Sequence, residues 1–197
     1  VVDALEDVQS IPGDAYLEKI VQLPLELPAP DKIMLRRLLF EKLDILLGKA
    51  TVESFDEGYW YNVYFDGIDH FMNSPRNVIR LINSLYSTYP IVKGEVNTVD
   101  FIAIETLRVF QTHVYEIVKN NEPMFSGHAP STGISRPSDD ELKAFHGDWI
   151  KGIGKDDVDA VKRLLMRLFP KLESVWGNSR YGADFEKDWK KQLRICS

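Results

Sequence analysis

A chain of 197 residues, 44% hydrophobic and 27% charged, has ordinary globular composition, which excludes a disordered or low-complexity class. Its single cysteine, Cys196, excludes an intrachain disulfide and a cysteine-based zinc site and favours a reducing, cytoplasmic setting. The net charge of −6 is uneven: residues 1–150 hold 13 Lys and Arg against 23 Asp and Glu, whereas residues 151–197 hold 11 against 7. An acidic body with a basic C-terminal segment argues against broad nucleic-acid binding. The basic segment is expected as a solvated helix surface, the other reading being that it docks on something acidic, the rest of the molecule included.

Taken in order, residues 1–10 read as the end of a helix stopped by Pro12-Gly13. Residues 20–27 alternate apolar with polar or proline residues, and Pro24 cannot donate to a ladder, so this is an edge strand or an extended crossing. Asp31 caps a helix that runs to about Leu47 and stops at Gly48. Its wide apolar set (Ile33, Met34, Leu38, Phe40, Leu43, Ile45, Leu46 and Leu47) predicts deep burial. Residues 55–71 are dense in aromatics.

Ser74-Pro75 has the form of a helix start, with Val78, Ile82, Leu85 and Tyr89 as its buried stripe and an end near Tyr89. An apolar helix follows Asn97, breaks near Gln111 and resumes to Asn120. Residues 121–138 hold Gly, Pro, Ser and Thr in loop proportions. Ser138 and Glu141 form a capping box, and helices are expected over 138–150, 156–169 and roughly 183–194. The fold class is mainly α, with one short extended or edge strand near the N-terminus.

Several chemistries lack their residues. There is no G-x-x-x-x-G-K-[ST]: Gly48-Lys49 has Leu43 where the first glycine belongs, and Gly154-Lys155 has Trp149 there. VYFDGID (63–69) superficially resembles a strand ending in a magnesium-binding Asp, but its flanks read as helix. His70, His113, His128 and His146 have no metal-ligand spacing, and no nucleophile elbow is present. The pairs Asp139-Asp140 and Asp156-Asp157 sit where helices begin, as caps and dipole partners do. No run of about 18 apolar residues offers a membrane span.

Arg76 stands out. It lies in the first turn of a helix, where the backbone dipole disfavours a cation and attracts an anion. Arg76, Arg80 and Asn83 share one face, which suits an anionic ligand. The alternative is a pair of surface ion pairs with acidic neighbours such as Asp66 or Asp69.

Five segments resemble the KAP family of P-loop NTPases in its soluble bacterial form: YLEKIVQLPLELP (16–28), LRRLLFEKLD (35–44), 59–90, VKGEVNTVDFIAIETLRVF (92–110) and LFPKLESVWGNSRYG (168–182). The most specific stretch is Ser74-Pro75-Arg76-Asn77-Val78 with Arg80, Ile82 and Asn83. In that family the Walker A and Walker B elements lie N-terminal to these segments. The resemblance therefore implies a C-terminal fragment, with 1–30 as the end of the NTPase core, 31–120 as a helical lid-like region, 121–138 as a loop and 139–197 as a C-terminal helical region. It implies ATP and Mg2+ as cofactors of the full-length protein and none for this fragment alone. Arg76 resembles a sensor-2 arginine, an accessory catalytic and nucleotide-binding residue, with Arg80 a weaker second. The expected partners are the chain's own upstream NTPase core and a homo-oligomer or an effector protein. A helical protein–protein interaction module is the competing reading.

Overall fold

A computed structural model describes residues 30–48, 55–126, 137–177, 192, 194 and 195. Every regular element among them is helical, so the mainly α class holds. The edge strand expected at 20–27 and the helix end at 1–10 lie outside the described residues, as does most of the helix expected at 183–194.

Helix α1 (Lys32–Leu47) begins where the Asp31 carboxylate accepts the Ile33 N–H and ends at Gly48, whose φ of 67° is the left-handed conformation glycine tolerates. Its buried ridge is Leu35, Leu39, Leu43 and Leu47, spaced by four. The expectation of deep burial is corrected here. Ile33 and Met34 are 69% exposed and Ile45 68%, because they lie off the face that this ridge turns to the core.

The aromatic segment is helical throughout. Asp56 caps α2 (Glu57–Val63), a π-helical turn follows at Tyr64–Ile68, and α3 (Asp69–Phe71) closes the run. In the π turn the Asp69 N–H bonds the Tyr64 carbonyl five residues back. Such an insertion rotates the side chains after it relative to those before it, and it recurs at functional positions. Gly67 sits in this turn at a tight crossing: a Cβ there would lie 2.5 Å from the Leu164 Cβ.

Ser74 caps α4 (Pro75–Val92) through the Asn77 N–H, and Pro75 occupies the first turn. The helix runs past its expected end at Tyr89 and carries Pro90 inside it. Proline removes the N–H that would bond the Tyr86 carbonyl, and Tyr86 lies on the exposed side of the helix. Asn97 then caps α5 (Thr98–Phe110) with bonds from Val99 and Asp100, and the chain breaks at Gln111 before α6 (Thr112–Asn120), as expected.

The loop reading for 121–138 is corrected at its start. Residues Glu122–Ser126 form a short helix, α7, because Phe125 is buried among Phe145, His146, Trp149 and Phe169. The capping box of Ser138 and Glu141 starts α8 (Asp139–Trp149). Helix α9 (Val158–Leu168) buries Val161, Leu164, Leu165 and Leu168 and packs on the π turn, α2 and α5. A short α10 (Glu173–Trp176) packs back on α8.

One core joins these elements, with α1 against α4, α4 against α5, and α9 across α5 and the π turn. Gln192, Arg194 and Ile195 are described and are not helical, which corrects the helix expected to reach 194. Arg194 is buried against Asp100, so at this point the basic segment docks on the acidic body and is not a solvated helix face.

Candidate functional site

The start of α4 is fixed from three directions. Ser74 Oγ accepts the Asn77 N–H, while the Asn77 amide donates to the Phe71 carbonyl (2.9 Å) and to Asn73 Oδ1 (2.7 Å). Phe71 stacks on Phe110 with centroids 5.6 Å apart and planes within 8°, which ties the preceding turn to the end of α5. The first turn of α4 therefore projects from a rigid corner. Pro75 and Arg76 are exposed on it.

The ion-pair alternative for Arg76 fails at both named carboxylates. Asp66 is taken by Arg167 (Nε to Oδ2, 2.6 Å), with Arg163 donating to the Asp66 carbonyl. Asp69 is taken by Arg36 in a two-pronged pair, each N–O distance 2.9 Å, and by the Tyr64 hydroxyl at 2.9 Å. Lys32 adds a second cation, bonding the Asp69 and Met72 carbonyls. Among the described residues no hydrogen bond or ion pair reaches Arg76.

Arg80, one turn on, differs. Its Nη2 donates to the Val109 carbonyl at 3.2 Å, and its guanidinium lies over the Phe110 ring. Asn83 is exposed on the same face. The structure thus keeps Arg76, Arg80 and Asn83 together on the solvent side of α4, with Arg80 tied to α5 and Arg76 unengaged.

Sequence reasoning missed three groups around this corner. The first is the cluster of Asp69, Arg36, Tyr64 and Lys32. The Arg36 guanidinium, helped by Tyr64 and Lys32 and opposed by burial, holds the Asp69 carboxyl below its usual range. Burial and the bond to Asp69 push the Tyr64 hydroxyl up. Only the π insertion brings residues 64 and 69 to one face, and no composition rule announces it. The second group corrects the capping role expected of Asp157. Its side chain caps nothing; Oδ1 faces His70 Nε2 at 2.7 Å and Oδ2 accepts from Gln111 at 2.6 Å. The third is a groove of about 770 Å3 between α1 and α2, lined by Phe40, Leu47, Phe55, Trp60 and Phe65 with Asp44 and Glu57 at its edge.

VYFDGID is helix and π turn, and the carboxylate of Asp69 is occupied by cations. Among the described residues no group of three or more His, Cys, Asp or Glu is arranged to hold a metal ion. Among them, too, no helix is long and apolar enough to cross a membrane.

Comparison with known proteins bears on the same segment. Residues 1–92 match the profile described as KAP family P-loop domain, a stretch that ends with α4 and contains Arg76 and Arg80. A curated relative, the phage T7 exclusion protein of Escherichia coli (strain K12), is 27% identical over 106 residues. That alignment covers 53% of this chain and 14% of the relative, so the chain corresponds to a small part of that protein's length. No solved structure matches the chain. Over residues 1–92, just under half of its length, the chain is thus similar to the KAP family of P-loop domains.

Proposed function

We propose that this chain is the helical part of a longer KAP-type P-loop ATPase and contributes a sensor-2-like arginine, Arg76, that couples nucleotide state to an effector. It is not catalytic alone, since it lacks a phosphate-binding loop of its own. ATP and Mg2+ are bound by an upstream core, and Arg76 reaches the γ-phosphate when that core and the helices close together. There a preorganised guanidinium stabilises charge on the transferring phosphoryl group. The helical region acts as the lid in this scheme, with Arg80 as a weaker second contact.

One observation carries the reading. Arg36, Arg108, Arg167 and Arg194 are each paired with a carboxylate, whereas Arg76 stands exposed and engaged by no described residue, on a corner braced by Asn77 and Phe71. A guanidinium held on a rigid turn without an internal partner suits an external anion. The family match over the same residues supports it. The test is ATP turnover by this chain alone and by a polypeptide extended upstream to include a Walker A loop. The reading expects turnover only from the extended protein; hydrolysis by the isolated chain would overturn it.

The α1–α2 groove favours a second reading, a helical protein-interaction module. Tyr61 is 62% exposed beside it. Loss of a binding partner in a Trp60→Ala/Tyr61→Ala variant, with ATP turnover intact, would favour this alternative.

A further inference from the structure

Arg194 is the most completely coordinated cation described in the molecule. Its Nε donates to both Asp100 oxygens, at 3.1 and 2.9 Å. Its Nη2 donates to the Tyr59 hydroxyl at 2.5 Å and to the Arg167 carbonyl at 2.8 Å. The guanidinium carbon lies 3.8 Å from the centroid of the Tyr59 ring. Asp100 is 2% exposed, and its other contacts are the Tyr59 hydroxyl at 2.6 Å and the Ile195 N–H at 2.8 Å.

Three separate parts of the body build this site: Tyr59 from α2, Asp100 from the first turn of α5, and Arg167 from the last turn of α9. The ligand comes from far along the chain. The described residues around Arg194 add little apolar attachment. Gln192 is exposed and is held through its carbonyl by the Asn97 amide, Ile195 is 41% exposed, and no residue beyond Trp176 belongs to the described core. Among the described residues, Gln192, Arg194 and Ile195 are held by polar, directional bonds. Such an attachment is specific and can open locally without unfolding the core.

We propose that Tyr59, Asp100 and the Arg167 carbonyl form a guanidinium-binding socket, filled in cis by Arg194, which straps the C-terminal segment releasably to the helical body. The ligand class is set by geometry. Four donor contacts spread over a planar fork, with one face against an aromatic ring, fit guanidinium; an ammonium is a point charge that cannot span them. An arginine offered by another protein segment meets the same contacts when the strap is open. This proposal does not depend on a role for Arg76.

The test is chemical rescue in the full chain. In Arg194→Ala, millimolar methylguanidinium is expected to raise the melting temperature saturably, while methylammonium at equal ionic strength leaves it unchanged. The double variant Arg194→Ala/Asp100→Asn is expected to lose the response. An equal response to both cations, or none to either, would overturn the socket. Should Arg194→Ala fail to fold, hydrogen exchange of the wild-type chain decides. The Ile195 amide is then expected to exchange through a local opening at rates well above those of Leu107 in α5. Exchange of both amides only through global unfolding would make the segment part of the core and end the proposal.

Discussion

Asp69 is held by a guanidinium, a phenol and an ammonium at once, and this concentration of donors has a pH signature. Its folded pKa lies below the unfolded value, because the Arg36 bonds favour the carboxylate. The stabilisation is therefore present above about pH 4 and is lost as pH falls through the folded pKa. Asp69→Asn keeps an acceptor for Tyr64 but removes the charge that Arg36 and Lys32 face. It is expected to cost about 1.5–3 kcal/mol in chemical denaturation at neutral pH, with the gap to wild type closing in acid. His146 gives a second signature, of another kind. It is buried, its Nε2 meets the Met124 carbonyl at 2.9 Å, and its Nδ1 accepts the Trp149 indole N–H at 3.1 Å. Those contacts fix the neutral ring with its proton on Nε2, and burial pushes its pKa below the ordinary value. Stability is then complete above about pH 6.5 and declines as pH falls below it, since the unfolded chain takes up the proton first. Denaturation midpoints of wild type and His146→Gln across that range check this: only the wild type should show the decline.

At the scale of elements, the π turn and α9 are fitted to each other. A methyl group at position 67 has no room against Leu164, so Gly67→Ala must displace α9 or distort the turn. The expected loss is about 1–3 kcal/mol, read by thermal or chemical denaturation, with faster amide exchange in α9 than in α4. The elements also show what a sequence discloses. Helix starts at Asp31, Ser74, Asn97 and Ser138 were readable, because caps are local chemistry written in adjacent residues. The stripe of α4 was readable for the same reason, its period being that of the helix. The exposed half of α1 was not. Its apolar residues surround the helix, and only the partner α4 selects which of them are buried. The π turn leaves no compositional trace. Asp100 reads as an ordinary first-turn acid, and nothing near it in sequence points 94 residues onward to Arg194. The candidate site was partly legible: Arg76 and Arg80 were marked by their place in a helix, whereas their differing surroundings follow from tertiary partners.

At the scale of the whole molecule, the helices form one core whose polar ties converge on a few junctions. Arg36 and Asp69 link α1 to α3, Arg167 and Asp66 link α9 to the π turn, and Arg108, Glu105 and Ser84 link α5 to α4. In the last of these, burial pushes Glu105 up, but Arg108, Ser84 and Thr88 together hold it below its ordinary value. A body braced in this way would carry a displacement at the start of α4 to the C-terminal segment through α5, whose first turn receives Arg194. In the proposed ATPase that path would carry the coupling from Arg76. The direct measurement is ATP turnover by the extended, Walker-containing protein bearing Arg76→Ala, alongside Arg80→Ala. The account predicts a fall on the order of 10²-fold for Arg76→Ala and a smaller one for Arg80→Ala. Wild-type turnover by Arg76→Ala would contradict it.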